Sequence, residues 1–166
     1  MLLIFDLDGT LFQAKPVVER AGLDTGIPGY RERLLKAICE HGALFPGVHK
    51  LLDNLHSAGF KLVICSKSPM EYIGLVVEQM GISRFFEGYY SADGYSSKAD
   101  LVKEIISPGI PAAVIGDTHG DITAAIENGL PSIAAMYGYG NKSLLKDADY
   151  FVDSPEEIAE CLKRIS

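Results

Sequence analysis

Residues 2–10 (LLIFDLDGT) decide the fold of this chain. Four apolar residues followed at once by an acid are typical of a buried strand that ends at a polar site. Asp6 and Asp8 are two positions apart, so both carboxylates can be presented to one cleft at the end of that strand. Gly9 allows the backbone to turn sharply there. Carboxylates this close repel each other unless a cation lies between them or one of them carries a proton.

Predicted strands and helices alternate along the rest of the chain. Apolar runs predict strands at residues 60–65, 85–90, 112–115, 131–136 and 150–152. Helical periodicity predicts helices at 69–80, 97–106 and 120–128, and another that begins at Val48 and ends at Gly59. Ser154 as N-cap, Pro155 at the first helical position and Glu157 form a capping box that predicts a closing helix. Strands separated by helices require an α/β fold, a doubly wound parallel sheet with helices on both faces.

Polar residues follow several of the predicted strands. In a doubly wound sheet, ligands bind at the carboxyl ends of the strands. The candidates at these ends are Asp6, Asp8, Ser66, Lys67, Asp117 and Asp121. We therefore expect the chemistry of the protein at this edge of the sheet.

The bulk composition excludes several classes of protein. A chain of 166 residues with 48% hydrophobic and 22% charged residues is expected to form one domain, residues 1–166. A net charge of −7 without a basic cluster argues against a nucleic-acid partner. No apolar run approaches the ~18 residues of a membrane span, and no signal peptide is visible. Cys39, Cys65 and Cys161 lack CxxC spacing, which indicates free thiols and a cytoplasmic protein.

Four short motifs resemble those of the haloacid dehalogenase superfamily of phosphohydrolases. They are DLDGT at residues 6–10, Ser66 at a strand end, Lys98, and GDTHGD at residues 116–121, and their order matches over nearly the whole chain. FPGV at residues 45–48 and YGYG at residues 137–140 are most similar to the phosphoglycolate phosphatase branch. The resemblance implies hydrolysis of a phosphorylated small molecule through an aspartyl-phosphate.

The resemblance also implies a role for each acid. Asp6 would be the nucleophile, and Asp8 would be first the general acid and then the general base. A Mg²⁺ ion would be held by Asp6, the backbone carbonyl of Asp8 and Asp117, with Asp121 supporting them. A second acid at Asp8 favours phosphoryl transfer to water over dehalogenation.

The implied phosphate-binding groups are Ser66 and the backbone amides of Leu7 and Asp8, with Lys67 beside them. Lys98 would offset the negative charge of phosphate and carboxylates. Lys67 and Lys103 are the alternatives for that lysine. Lys67 stands where this branch often carries Asn.

Two other interpretations of the motifs are alternatives, and two further motif matches are excluded. The same scaffold supports a phosphotransferase or phosphomutase, and an idle domain that binds a phosphorylated ligand or a protein is a further alternative. GDTHG at residues 116–120 also matches dinuclear metallophosphoesterases, but no histidine follows His119 to supply further ligands. GYGNKS at residues 138–143 has the wrong spacing for a phosphate-binding P-loop.

Residues 12–45 are predicted to form a small helical insert, with helices near 16–21 and 30–41. Relatives of this branch carry a longer four-helix cap here, so the resemblance implies a reduced cap that excludes water poorly. It also implies a broad or large substrate, or a second subunit that completes the lid. The apolar face of Tyr30, Leu34 and Ile38 is expected either to pack on the core or to form a homodimer contact.

Overall fold

The computed structural model describes residues 1–24 and 26–165. These residues form six strands and seven α-helices. The strands are β1 (Leu2–Phe5), β2 (Lys61–Ser66), β3 (Gly88–Ser91), β4 (Ala112–Gly116), β5 (Ser132–Ala135) and β6 (Tyr150–Val152). The helices are α1 (Lys15–Ala21), α2 (Tyr30–His41), α3 (Val48–Ser57), α4 (Met70–Gln79), α5 (Lys98–Ile105), α6 (His119–Glu127) and α7 (Glu157–Ile165). None of these helices has the length and apolarity needed to cross a membrane.

The six strands form one parallel sheet in the order β3-β2-β1-β4-β5-β6. β1 lies at the centre, with Phe5 opposite Ile64 of β2 on one side and Ile115 of β4 on the other. β2 and β3 extend the sheet on one side of β1, and β4, β5 and β6 then extend it on the other side. This order is that of a doubly wound fold, so the predicted fold class is confirmed.

Alternate residues of β1 serve the two faces of the sheet, as a strand period of two requires. Leu3 and Phe5 belong to a large apolar cluster with side chains of α1, α2, α3, α4 and α7. Leu2 and Ile4 belong to a second cluster with side chains of α5 and α6. The molecule therefore has three layers, and a strand buried on both faces explains the continuous apolar run of β1.

The helices α1 and α2 form the predicted pair after β1, and they pack on the core. Tyr30, Leu34 and Ile38 are 2%, 0% and 1% exposed and belong to the same apolar cluster as the sheet. The apolar face of α2 therefore packs on the core, which is the first of the two alternatives expected from the sequence. A contact between two copies would therefore have to use other, exposed residues.

Two local predictions differ from the structure. Residues 85–87 precede β3 instead of belonging to it, and Phe85 ends a short 3₁₀ turn. The predicted capping box at Ser154 is wrong, because α7 begins at Glu157 and the Glu157 carboxylate accepts a hydrogen bond from the amide of Asp153. A turn at residues 155–156 separates Ser154 from the helix.

The burial of α2 predicts that it unfolds together with the sheet. Leu34→Ala removes a fully buried side chain and should lower the free energy of unfolding by about 2–5 kcal/mol. Urea denaturation followed by circular dichroism measures this loss. Lys36→Ala, at an exposed position of the same helix, is the matched control and should change stability by no more than about 0.5 kcal/mol. Equal stability of the two variants would show that α2 is only loosely attached.

Candidate active site

The candidate site lies where the strand order reverses direction. β1 and β4 are neighbours, yet their outgoing connections lead to opposite halves of the sheet. A crevice forms at the carboxyl ends of such a strand pair. Asp6 follows β1 and Asp117 follows β4, and the amide of Asp6 donates to the carbonyl of Ile115 at 2.8 Å. The register of the two central strands thus brings together acids that are 111 positions apart in the sequence.

Lys98 stands at the first position of α5 and is buried between two carboxylates. Its ammonium donates to Asp6 Oδ1 at 2.7 Å and to Asp121 Oδ1. The side chain of Ser97 caps the helix by accepting from the amide of Asp100 at 3.1 Å, which fixes the point where α5 begins. Because α5 begins near the carboxyl edge of the sheet, its first side chain reaches the acids there.

Asp117 is held by the loop after β5. Its Oδ2 accepts from the backbone amides of Tyr139 and Gly140 at 2.7 and 3.0 Å, and its Oδ1 accepts from the Thr10 hydroxyl at 3.3 Å. Gly140 lies against the backbone of Asp117 so closely that a Cβ there would overlap it. The glycine is therefore required by space, and the loop can bring both amides onto one oxygen.

Asp121 forms hydrogen bonds both to the N-cap of its own helix and to Lys98. Its Oδ2 accepts from the amide and the hydroxyl of Thr118, the N-cap of α6, at 2.9 and 2.6 Å. A carboxylate at the third helical position that returns to the N-cap amide is one half of a capping box. Asp121 is thus fixed by its own helix and offers its other oxygen to the site.

The four central groups are almost fully buried and carry unequal charge. Asp6, Lys98, Asp117 and Asp121 are 7%, 4%, 1% and 0% exposed. Three carboxylates against one ammonium leave two uncompensated negative charges when all are ionised. Burial raises the pKa of Asp6, against the opposing effect of Lys98, and burial also raises the pKa of Asp117. Burial alone would lower the pKa of Lys98, but Asp121 and Asp6 raise it, so the ammonium stays charged.

The chemistry of this cluster fits a hard divalent cation. One oxygen from each of Asp6, Asp117 and Asp121 lies within 4.8 Å of the others. Three oxygens gathered this closely could be shared by one bound ion. All donors are carboxylate oxygens, the ligands that Mg²⁺ prefers, and its charge would match the two uncompensated negative charges.

Asp8 lies beside this cluster and is held by two hydroxyl groups. The Ser68 hydroxyl donates to Asp8 Oδ2 at 2.5 Å, and the Tyr72 hydroxyl donates to Asp8 Oδ1 at 2.8 Å. Burial raises the pKa of Asp8, and these two hydrogen bonds oppose the rise. Both donors come from the segment after β2, so β2 contributes to the site through Ser68 and Tyr72.

The predicted phosphate-binding groups lie around the same edge. In the part of the chain that the structure describes, no hydrogen bond from the amides of Leu7 and Asp8 to a protein acceptor is found. Ser66 is buried and its Oγ accepts from the amide of Ser68 at 3.1 Å, a bond that does not use the hydroxyl proton of Ser66. Lys67 is exposed, with its ammonium near Gly120 in the first turn of α6.

The three candidate lysines have different surroundings. Lys98 is buried among the acids, Lys103 is exposed on the same helix, and Lys67 is exposed at the rim. His119 is also at the rim, where its ring nitrogens contact the Leu144 carbonyl and the Thr123 hydroxyl. The geometry thus favours Lys98 over the two alternatives.

The sequence did not indicate Ser68, Tyr72, Thr118 or the loop amides of Tyr139 and Gly140 as members of the site. Ser68 lies two residues before α4, and Tyr72, four positions further on, is the third residue of that helix. That spacing, directly after a strand end, is a usable signal. The contacts of the residue 139–140 amides leave no such signal, because they depend on how a distant loop folds back.

Comparison with known proteins gives one family. The model of a family described as "Haloacid dehalogenase-like hydrolase" matches residues 18–135. A phosphoglycolate phosphatase of Vibrio parahaemolyticus is 28% identical over 126 residues, which are 70% of this chain and 55% of that protein. One of Vibrio vulnificus (strain CMCP6) is 24% identical over 216 positions that cover 96% of this chain and 94% of that protein. The chain spans about half the length of the first relative and nearly all of the second.

Solved structures share the fold over nearly their whole length. A predicted phosphatase from Clostridium acetobutylicum has a TM-score of 0.78 at 24% identity, with 98% of each chain covered. The haloacid dehalogenase-like protein SP0104 from Streptococcus pneumoniae has a TM-score of 0.76 at 23% identity, with 97% of each covered. At such identities the likeness concerns the fold alone. Because the family model spans well over half of its length, this chain belongs to the haloacid dehalogenase-like hydrolases.

Proposed function

We propose that this protein is a Mg²⁺-dependent phosphomonoester hydrolase that works through an aspartyl-phosphate on Asp6. The observation that carries the proposal is the buried cluster of Asp6, Asp117 and Asp121 around Lys98 at the carboxyl edge of the sheet. The names of the relatives from both Vibrio species agree with phosphate-ester chemistry. The active-site arrangement and the relatives therefore support the same reaction class.

The hydrogen bonds of the acids suggest which oxygens would hold the metal. Asp6 Oδ2 and Asp117 Oδ1 are the candidate ligands, because Lys98 binds the other oxygen of Asp6 and two amides bind the other oxygen of Asp117. The backbone carbonyl of Asp8 would complete the protein ligands, and Asp121 would support them through Lys98. When bound, Mg²⁺ supplies charge stabilisation for the transferring phosphoryl group.

In the first half-reaction, a carboxylate oxygen of Asp6 attacks phosphorus while the bond to the ester oxygen breaks. Asp8 in its protonated form gives its proton to the departing oxygen. Its burial favours that protonated form. The amides of Leu7 and Asp8 and the hydroxyl of Ser66 donate to the phosphoryl oxygens, and Lys98 offsets their charge.

In the second half-reaction, Asp8 takes a proton from a water molecule as that water attacks phosphorus. The bond between phosphorus and Asp6 breaks, which releases inorganic phosphate and restores the Asp6 carboxylate. One group can serve as acid and then as base because the first step leaves it deprotonated.

The segment at residues 12–45 acts as a reduced cap in this proposal. The alignment to the Vibrio vulnificus relative runs over 216 positions, whereas this chain has 166 residues, so the relative carries residues that this chain lacks. A short insert leaves the mouth of the site open to larger esters and to water. The substrate class we propose is a phosphorylated metabolite, phosphoglycolate or a broader set.

Asp6→Asn tests the nucleophile. Because an amide cannot form the acyl phosphate, kcat for a panel of phosphate esters with Mg²⁺ should fall by roughly 10³-fold or more. Released inorganic phosphate is the measurement. Asp53→Asn, an exposed acid on α3, is the control and should keep wild-type turnover. Wild-type turnover in the Asp6 variant would refute the mechanism, and a phosphorylated acceptor in place of free phosphate would indicate a phosphotransferase.

Mg²⁺ should stabilise the folded protein through Asp117. At about 100 times the dissociation constant the gain is about 2.7 kcal/mol, which raises Tm by roughly 5–11 °C for a chain of this size. Thermal unfolding with and without MgCl₂, at matched ionic strength, measures the shift. Asp117→Asn should lose most of it and Asp53→Asn should keep it. Equal shifts in both variants would place the metal elsewhere, and chelation by EDTA should abolish turnover of the wild type.

Lys98→Met tests whether Lys98 or Lys103 is the active-site lysine. Loss of the buried ammonium leaves Asp6 and Asp121 without their counter-charge, and kcat/KM should fall by at least about 100-fold. Lys103→Met, on the exposed side of the same helix, should stay within about two-fold of wild type. Circular dichroism checks that both variants fold. A greater loss in the Lys103 variant would contradict the assignment.

A further inference from the structure

We propose that Tyr72, together with Ser68, is a positioning residue that fixes the carboxylate of Asp8 for proton transfer. The inference rests on the proposed function, in which Asp8 is the acid and then the base. Neither residue belongs to the buried cluster of Asp6, Lys98, Asp117 and Asp121 or to the four family motifs.

The two hydroxyl groups bind different oxygens of one carboxylate. Tyr72 donates to Oδ1 at 2.8 Å and Ser68 donates to Oδ2 at 2.5 Å. A carboxylate held at one oxygen can still rotate about its terminal torsion, whereas one held at both cannot. The pair of bonds therefore fixes the position and also the plane of the Asp8 carboxylate.

Both donors are themselves firmly held. Tyr72 is 0% exposed and belongs to the main apolar cluster, on the third residue of α4. Ser68 donates its amide to Ser66 Oγ at 3.1 Å, and its carbonyl accepts from the hydroxyl of Ser91 at 2.7 Å. Asp8 lies on the loop after β1. Through Ser68 and Tyr72 its carboxylate is therefore held in place by β2, β3 and α4.

This arrangement matters most when Asp8 acts as the base. Asp8 takes the proton of the attacking water while the bond between phosphorus and Asp6 breaks. Proton transfer requires the base to lie within hydrogen-bond reach of that water. Each oxygen of a carboxylate can accept two hydrogen bonds, so the bonds to Tyr72 and Ser68 leave lone pairs for the incoming proton.

A purely structural role for Tyr72 predicts different behaviour. Most buried polar groups are hydrogen-bonded, and Asp8 could serve only as the acceptor for the Tyr72 hydroxyl. In that case removal of the hydroxyl would alter stability and would act independently of the chemistry at Asp8. If Tyr72 acts through Asp8, its removal has no kinetic effect once Asp8 has lost its acid function.

Tyr30 offers a matched control on the neighbouring helix. Its side chain is 2% exposed, and its hydroxyl is the buried side-chain polar atom, among the residues described, that has no hydrogen-bond partner. It interacts electrostatically with Asp8 and with Tyr72. Tyr30→Phe therefore removes a buried hydroxyl from the same surroundings without removing a bond to Asp8.

The experiment compares Tyr72→Phe, Ser68→Ala and Tyr30→Phe, each alone and in an Asp8→Asn background. Steady-state kinetics with an aryl phosphate and Mg²⁺ separate kcat from KM. Acid quench followed by intact-protein mass measures the fraction of enzyme that carries a phosphoryl group. Thermal unfolding shows whether each variant is folded.

We expect Tyr72→Phe and Ser68→Ala each to lower kcat about 10-fold with KM within about two-fold, a fraction of the 10²–10⁴-fold that acid–base catalysis contributes. The phosphorylated fraction should rise, because an activated ester needs little acid assistance in the first step while the second step is slowed. In the Asp8→Asn background, the same substitutions should change kcat less than about two-fold. Tyr30→Phe should match wild type throughout.

Several outcomes would overturn the inference. One is wild-type kcat in both Tyr72→Phe and Ser68→Ala while Asp6→Asn is inactive, which would leave the proposed function intact. Another is an undiminished effect of Tyr72→Phe in the Asp8→Asn background, or an equal loss in Tyr30→Phe, since either would indicate a structural role. Should Tyr72→Phe fail to fold, Ser68→Ala alone decides by the same criteria. Absence of hydrolysis by the wild type would overturn the proposed function and this inference together.

Discussion

Buried negative charge is the constraint on which this structure depends. Burying an ion costs several kcal/mol even after the protein relaxes, and three carboxylates lie together at one edge of the sheet. Each therefore has compensating donors: Lys98 for Asp6, Thr118 and Lys98 for Asp121, and two backbone amides for Asp117. Two negative charges still remain when all three acids are ionised. A fold that maintains such an arrangement is suited to a ligand that brings positive charge with it.

The topology of the sheet supplies the place where this charge can collect. The connections after β1 and β4 diverge, which opens a crevice between two strands that are otherwise hydrogen-bonded neighbours. The acids on either side come so close that the loop after β1 must pass directly against Asp117. Gly9, with a φ of 86°, allows this, because a Cβ there would overlap the Asp117 carboxylate. The glycine of the first motif thus serves both the turn and the close approach.

The sequence was informative where structure follows from local pattern, and less so elsewhere. The alternation of strands and helices and the set of polar strand ends predicted the sheet and placed Asp6, Asp117 and Asp121 at one edge. The partners of those acids were harder to find, since a hydrogen bond such as that from Tyr72 to Asp8 joins residues 64 positions apart. Local patterns can also mislead. Ser154 and Glu157 have the spacing of a capping box, yet the helix begins at Glu157 itself.

The packing of the insert at residues 12–45 bears on whether the proposed reaction transfers a phosphoryl group to water or to another acceptor. A lid that closes over the substrate must move, and α2 carries Tyr30, Leu34 and Ile38 in the same apolar cluster as β1. Exposing such side chains costs roughly 1.5–3 kcal/mol each, so a movement of α2 away from the core would be costly. The salt bridge of 3.3 Å from Arg31 to Glu71 also joins α2 to α4, the helix that holds Asp8 through Tyr72. In the proposed mechanism, an insert fixed in this way would not close to exclude water, so a phosphoryl group on Asp6 would be transferred to water more readily than to a second substrate.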